Sequence, residues 1–125
     1  MVEDWMTNAP SPFNSVLIAN RGEIACRIIK SCKEVGITTI AIFAPNDKNS
    51  LFVSMADKSV ELQGDTIAET YLNIEGILNA AKKTNAQAIH PGFGFLSERA
   101  DFARAVVSEG LIWIGPKPRS ISSMG

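Results

Sequence analysis

The chain has little from which to build a metal centre, a disulfide framework, a membrane span or a nucleic-acid surface. It holds one histidine, His90, and two cysteines, Cys26 and Cys32, with no Cys-x-x-Cys or His-x-x-x-His spacing. So few ligands of those types make no ordinary metal site. The two cysteines lie six apart on what reads as one helix, about 240° around its axis, so they cannot pair with each other. They read as helix residues in a reducing compartment. No apolar run approaches the roughly 20 residues that cross a bilayer. Twelve Lys and Arg against thirteen Asp and Glu leave a net charge of −1, which supplies no domain-wide positive field for nucleic acid or acidic lipid. The stretch Met1 to Ser15 carries Glu3 and Asp4 but no Lys or Arg and has no hydrophobic signal core, which argues against a transit or signal peptide. The expectation is a cytoplasmic protein that engages neither nucleic acid nor membrane, with residues 1–12 as a flexible leader.

What is present suits one globular core. At 125 residues, with 46% apolar and 20% charged side chains, the chain has the size and composition of a single soluble domain. Ser15 to Asn20 is a short apolar stretch suited to a strand buried on both faces. Ile24, Ala25, Ile28, Ile29, Cys32 and Val35 then make one helical stripe, with Glu23 in the first turn and Gly36 at the stop. The spacing predicts a helix over Glu23 to Val35. Thr38 to Phe43 is β-branched and apolar and is closed off by Pro45, Asn46, Asp47 and Asn49. A short helix around Leu51 to Ala56 and a strand from Ser59 to Leu62 follow. Ile74, Ile77, Leu78 and Ala81 form a further helical face capped by Asn73. Ala88 to His90 reads as a fourth strand, Ser97 or Glu98 as the start of a helix carrying Phe102, Ala105 and Val106, and Leu111 to Ile114 as a fifth strand. Strands alternating with helices predict an α/β fold: a Rossmann-like, doubly wound parallel sheet of about five strands with helices on both faces. Ser120 to Gly125 reads as the opening of another helix or a connection to more protein.

In a sheet of order 3-2-1-4-5 the crevice opens beyond the carboxyl ends of strands 1 and 4. Those ends carry Ala19-Asn20-Arg21-Gly22-Glu23 and His90-Pro91-Gly92-Phe93-Gly94-Phe95-Leu96-Ser97-Glu98. Gly22 allows a tight turn into a helix whose amino end favours an anion. Arg21 either adds charge there or pairs with Glu23 or Glu98. Gly92 and Gly94 leave main-chain amides open to close approach. The spacing Gly92-x-Gly94-x-x-Ser97 departs from a dinucleotide fingerprint: it follows strand 4, ends in Ser, and lacks an acid at the end of strand 2. His90 is the one group that titrates near neutrality, and its place before Pro91 suits a hydrogen-bonded structural residue better than a catalyst. Phe93 and Phe95 are expected to pack in the core or under a lid. On the first helix, Arg27, Lys30 and Glu34 share the face opposite the apolar stripe. That face is either plain solvated surface or a two-fold contact in which one subunit's Arg meets the other's Glu.

Several separated stretches, in order, resemble the biotin carboxylase component of biotin-dependent carboxylases: Val16-Leu-Ile-Ala-Asn-Arg-Gly-Glu-Ile-Ala-Cys-Arg27, Met55-Ala-Asp57, Tyr71-Leu-Asn-Ile74, Ala88-Ile-His-Pro-Gly-Phe-Gly-Phe-Leu-Ser-Glu98, Ile114-Gly-Pro116 and Met124-Gly125. The resemblance runs from about Phe13 to Gly125. It implies the N-terminal, pre-ATP-grasp domain of an enzyme that uses ATP, Mg and bicarbonate to carboxylate biotin. The rest of that enzyme is absent here, and the family's chain goes on past the position of Gly125.

By that resemblance, Phe93 and Gly94 belong to the glycine-rich loop bordering the biotin and bicarbonate pocket, with Phe93 where a tyrosine is common. Gly92, Arg21 and His90 are expected to complete that wall. Arg27, Lys30 and Glu34 match a homodimer helix, with Lys30 in place of an arginine, and Arg99 stands where Asn is frequent. The resemblance further implies that no catalytic or metal-binding residue lies on this chain and that the chain alone binds no cofactor. ATP, Mg and biotin belong to the parent enzyme, and the partners are its ATP-grasp and C-terminal segments and a biotinyl carrier domain. No Ala-Met-Lys-Met attachment motif is present. The segment Leu62-Gln-Gly-Asp-Thr-Ile-Ala-Glu-Thr-Tyr71 lacks the Gly-Pro-Ala-Pro of acyl-CoA carboxylases and leans toward urea carboxylases; pyruvate and acyl-CoA carboxylases are the other candidates. Two readings from other classes stand beside this one: a non-catalytic interaction module pairing through the first helix, and a nucleotide-binding Rossmann protein.

Overall fold

Apolar strand runs buried on both faces and 3.6-residue burial in the helices assemble residues 13–115, which the computed structural model describes, into a five-stranded sheet flanked by helices. The expected leader over residues 1–12, and the closing segment with Pro116 and Met124-Gly125, lie outside the described residues. The elements in chain order are β1 (Ser15–Ile18), α1 (Gly22–Glu34), β2 (Thr38–Phe43), a 3₁₀ turn (Pro45–Asp47), α2 (Leu51–Met55), β3 (Lys58–Glu61), α3 (Ile74–Thr84), β4 (Ala88–His90), α4 (Ala100–Ser108) and β5 (Ile112–Trp113). The strand order is β3-β2-β1-β4-β5, and all four pairings are parallel. The fold class and the strand order are those expected from the sequence.

Side chains along each central strand alternate between two cores. Val16 and Ile18 of β1, with Ala41 and Phe43 of β2, meet Ile28, Ile29 and Cys32 of α1 and Phe52 of α2. Leu17, Ile40, Ile42 and Ile89 face the other way, onto Ile77 and Ala81 of α3 and Phe102 and Val106 of α4. Helices therefore cover both faces, which explains why the inner strands read as unbroken apolar runs. The edge strand β3 keeps Lys58, Ser59 and Glu61 exposed, the charged dress that discourages further pairing.

Local signals set some of the helix ends. Asn73 Oδ1 accepts from the Gly76 N–H at 3.1 Å and caps α3 as predicted. Gly36, at φ 77°, turns the chain out of α1. The start of α4 differs from the expectation: it opens at Ala100, two or three residues after Ser97 and Glu98. Residues 94–99 are instead occupied by tight turns, with Ser97 N–H donating to Gly94 O and Arg99 N–H to Leu96 O. Phe95 sits at φ 48° among them, which a helix cannot accommodate. Neither Cys26 nor Cys32 is joined in a disulfide. No helix among the described residues is long and apolar enough to cross a membrane.

Candidate functional site

The parallel pairing of β1 with β4 sets Ile18 opposite His90, so both chains leave the sheet together at their carboxyl ends, where open α/β sheets form crevices. Asn20, 1% exposed, joins the two exits. Its Nδ2 donates to the carbonyl oxygens of Pro91 at 2.9 Å and Phe93 at 2.7 Å, while its Oδ1 accepts from the Arg21 N–H at 2.9 Å. Both amide protons and the oxygen are thereby used, as a buried side-chain amide requires.

The close approach of the loop to Asn20 needs glycine at position 92. Its φ is 68°, and a Cβ there would stand 2.7 Å from Asn20 Nδ2 and 3.0 Å from Ile24 Cγ2. Gly94, at φ 70°, has nothing within 4 Å of where a Cβ would be, so the loop is open on that side. Phe93 departs from the expected packing: it is 67% exposed, because its carbonyl is drawn in to Asn20 and the ring is left outside. Phe95 does pack, with its ring 5.4 Å from that of Tyr71 and against the core.

Arg21 pairs neither with Glu23 nor with Glu98. Its Nη2 lies 2.7 Å from Asp47 Oδ1, and its guanidinium stands 5.8 Å from the Tyr71 ring centroid. Asp47 Oδ2 accepts from the Tyr71 hydroxyl at 2.7 Å, and that hydroxyl accepts from the Ala44 N–H at 3.0 Å. The hydrogen bond to Asp47 raises the Arg21 pKa above its ordinary value, and burial raises that of the Tyr71 phenol. Asp47 lies just past β2, near where a dinucleotide site would want an acid for ribose, but both of its oxygens are engaged inside the protein. Asn20, Asp47 and Tyr71 are the residues that sequence reasoning missed; a lone Asn ending an apolar strand was the available signal for the first.

His90 Nδ1 accepts from the Gly92 N–H at 3.1 Å, and burial lowers its pKa to about 4. It is therefore a neutral imidazole at pH 7 that shapes the loop. Arg21, His90, Gly92 and Phe93 thus gather around Asn20, with Gly94 next in the loop. Arg27, Lys30 and Glu34 lie apart, all exposed along α1. Among the described residues no group of three or more His, Cys, Asp or Glu side chains is placed to hold a metal ion.

Residues 12–121 match the family described as biotin carboxylase, N-terminal domain. The chain belongs to that family. This biotin carboxylase N-terminal domain is 49% identical over 113 residues to the mitochondrial propionyl-CoA carboxylase alpha chain of Sus scrofa, covering 90% of the present chain and 16% of that protein. It is 54% identical over 114 residues to the urea amidolyase of Lachancea kluyveri, covering 91% of the chain and 6% of the relative. Among solved structures, the urea amidolyase of K. lactis superposes with a TM-score of 0.89 at 54% identity, over 91% of this domain and 7% of that chain. The domain thus corresponds to a small part of much longer carboxylase and amidolyase chains.

Proposed function

We infer that the domain forms one wall of the site at which a biotin-dependent carboxylase, using ATP, Mg and bicarbonate, carboxylates biotin. The observation that carries this reading is the loop at the β1 and β4 exits, which Asn20 holds and which presents the exposed Phe93 ring and the uncovered backbone of Gly94. An open glycine face beside an exposed aromatic ring suits a flat, neutral group such as the ureido ring of biotin. On this reading Gly92, Phe93 and Gly94 line the wall, and Arg21 and His90 support it from behind. The nucleotide, its magnesium and the catalytic residues belong to ATP-grasp and C-terminal segments, and the biotin arrives on a carrier domain. The chain alone is inactive, and its compartment is the cytoplasm. The acceptor favoured is urea, supported by the Leu62 to Tyr71 segment and by the higher identity to urea amidolyases than to propionyl-CoA carboxylases.

A chimera tests the reading. Residues 12–121 are exchanged for the matching segment of Kluyveromyces lactis urea carboxylase, and bicarbonate- and biotin-dependent ATP hydrolysis is measured. Retained turnover is expected; a folded chimera without turnover overturns the assignment. The isolated chain is expected to show no such hydrolysis and no binding of NAD by calorimetry, and tight NAD binding would restore the dinucleotide reading.

The α1 face with Arg27, Lys30 and Glu34 is proposed as a two-fold contact between copies. In the chimera, Glu34→Arg is expected to weaken self-association about tenfold by sedimentation, and adding Arg27→Glu to restore it, because opposed charges are paired again. Indifference of the association to both changes excludes this face.

A further inference from the structure

We propose that Asn20 is a positioning residue: from the end of β1 it sets the course of the Pro91–Phe93 backbone and so fixes where the Phe93–Gly94 surface stands. The loop has no regular structure of its own to hold it there. Within four residues it carries three left-handed conformations, Gly92 at φ 68°, Gly94 at φ 70° and Phe95 at φ 48°. The last is costly for a bulky side chain, and such a conformation persists only where the surroundings impose it.

Two anchors impose it, one at each end. At the first end, the Nδ2 group of Asn20 bonds the two carbonyls that bracket Gly92. At the second, the Phe95 ring lies on Tyr71, whose hydroxyl is bound to Asp47, which in turn holds Arg21. Arg21 is the neighbour of Asn20 and donates its own N–H to Asn20 Oδ1. The anchors therefore close into one circuit that runs from Asn20 through the loop to Phe95 and returns through Tyr71, Asp47 and Arg21. Between positions 91 and 97, residues 93 and 94 are the exposed ones. Asn is the residue type this needs at position 20: a side-chain oxygen facing an N–H and a two-proton donor facing two carbonyls, at a reach one methylene long. Aspartate has the shape without the donor, and serine lacks the reach.

The structural part of the proposal stands on the geometry; its consequence for substrate rests on the reading of this loop as a biotin-site wall. Two sets of measurements keep those apart. In the intact chain, chymotryptic cleavage after the exposed Phe93 is expected to be slow in the parent. It should rise about tenfold in Asn20→Asp and Asn20→Ser, measured well below the unfolding transition, because local opening no longer breaks the two Asn20 Nδ2 hydrogen bonds, one buried and one part-buried. Because either variant can fail to fold, the unsubstituted chain supplies a second readout. The Asn20 side-chain amide protons are expected in NMR as a protected pair showing proximity to the Pro91 and Phe93 α-protons. Cleavage rates unchanged by both substitutions, or Asn20 amide protons exchanging at the solvent rate, overturn the proposal. In the chimera, with free biotin as the probe, Asn20→Asp is expected to raise KM for biotin about tenfold while KM for ATP stays put. A loosened loop with an unchanged KM for biotin retains Asn20 as the loop's anchor and overturns the wall reading instead.

Discussion

Replacing Asp47 with alanine is expected to lower the unfolding free energy by about 3 kcal/mol, and the melting temperature by roughly 10–20 °C for a domain of this size. The loss comes mainly from the Tyr71 side. Tyr71 is 1% exposed and Asp47 6% exposed, so once the carboxylate is removed the buried hydroxyl has no acceptor and the space beside it is empty. The Arg21 side contributes less, since that side chain is 42% exposed and water takes over much of its solvation. Asp47→Asn preserves the shape and one acceptor and should lose about half as much. The cycle with Tyr71→Phe separates the shares: a phenyl ring has no hydroxyl to strand, so the double variant should be more stable than the summed single losses imply, by about 1 kcal/mol. Chemical denaturation of the four proteins at pH 7 measures this. Strict additivity, or an Asp47→Ala variant within about 0.5 kcal/mol of the parent, shows that the pair does not act as a unit.

What could be read from the sequence, and what could not, divides by range. The stripe from Ile24 to Val35 and the face from Ile74 to Ala81 specify helices through their own spacing, and the apolar runs at β1 and β2 specify buried strands. Once those alternate, right-handed crossovers leave few sheet orders, and the observed β3-β2-β1-β4-β5 is the expected one. The glycine-rich loop was visible because Gly92 and Gly94 mark backbone that side chains must not cover. Asp47 read as one turn residue among Pro45, Asn46 and Asn49, because nothing local distinguishes a solvated turn aspartate from one whose partner is Tyr71, 24 positions away. Arg21 has acids nearby at Glu23 and Glu98 and uses neither, again because the partner is supplied by the fold. Ser97 and Glu98 carry helix-start chemistry, yet the turns pinned by Phe95 and Tyr71 delay α4 to Ala100. Phe93 and Phe95 are alike in type, and only the fold separates them: the tether at Asn20 leaves one ring in water, and Tyr71 takes the other against the core.

Acid should destabilise the domain in a window set by His90. Its folded pKa is about 4, against an ordinary value of 6.5, because burial disfavours the imidazolium. Between those values the unfolded chain binds a proton that the folded chain refuses, so stability falls as pH drops from 6.5 toward 4 and levels off, for this group, below that. The full loss is about 3 kcal/mol. Asp57, held below its ordinary value of 3.8 mainly by the Thr39 N–H, acts in a lower window. A depressed carboxylate stabilises above its unfolded pKa, and that share is lost only as pH falls below about 4 through the folded value. The Glu69 and Asp101 carboxylates are likewise depressed, so the slope between pH 6.5 and about 4.5 is the histidine's. His90→Asn isolates it. An asparagine Oδ1 stands close to the place of Nδ1 and accepts from the Gly92 N–H, but it does not titrate. Urea unfolding at pH 7 and pH 4.5 should show the parent losing roughly 2–3 kcal/mol and the variant much less. Parallel losses in the two proteins would place the acid sensitivity elsewhere and mean that His90 meets its proton as readily in the folded chain as in the unfolded one.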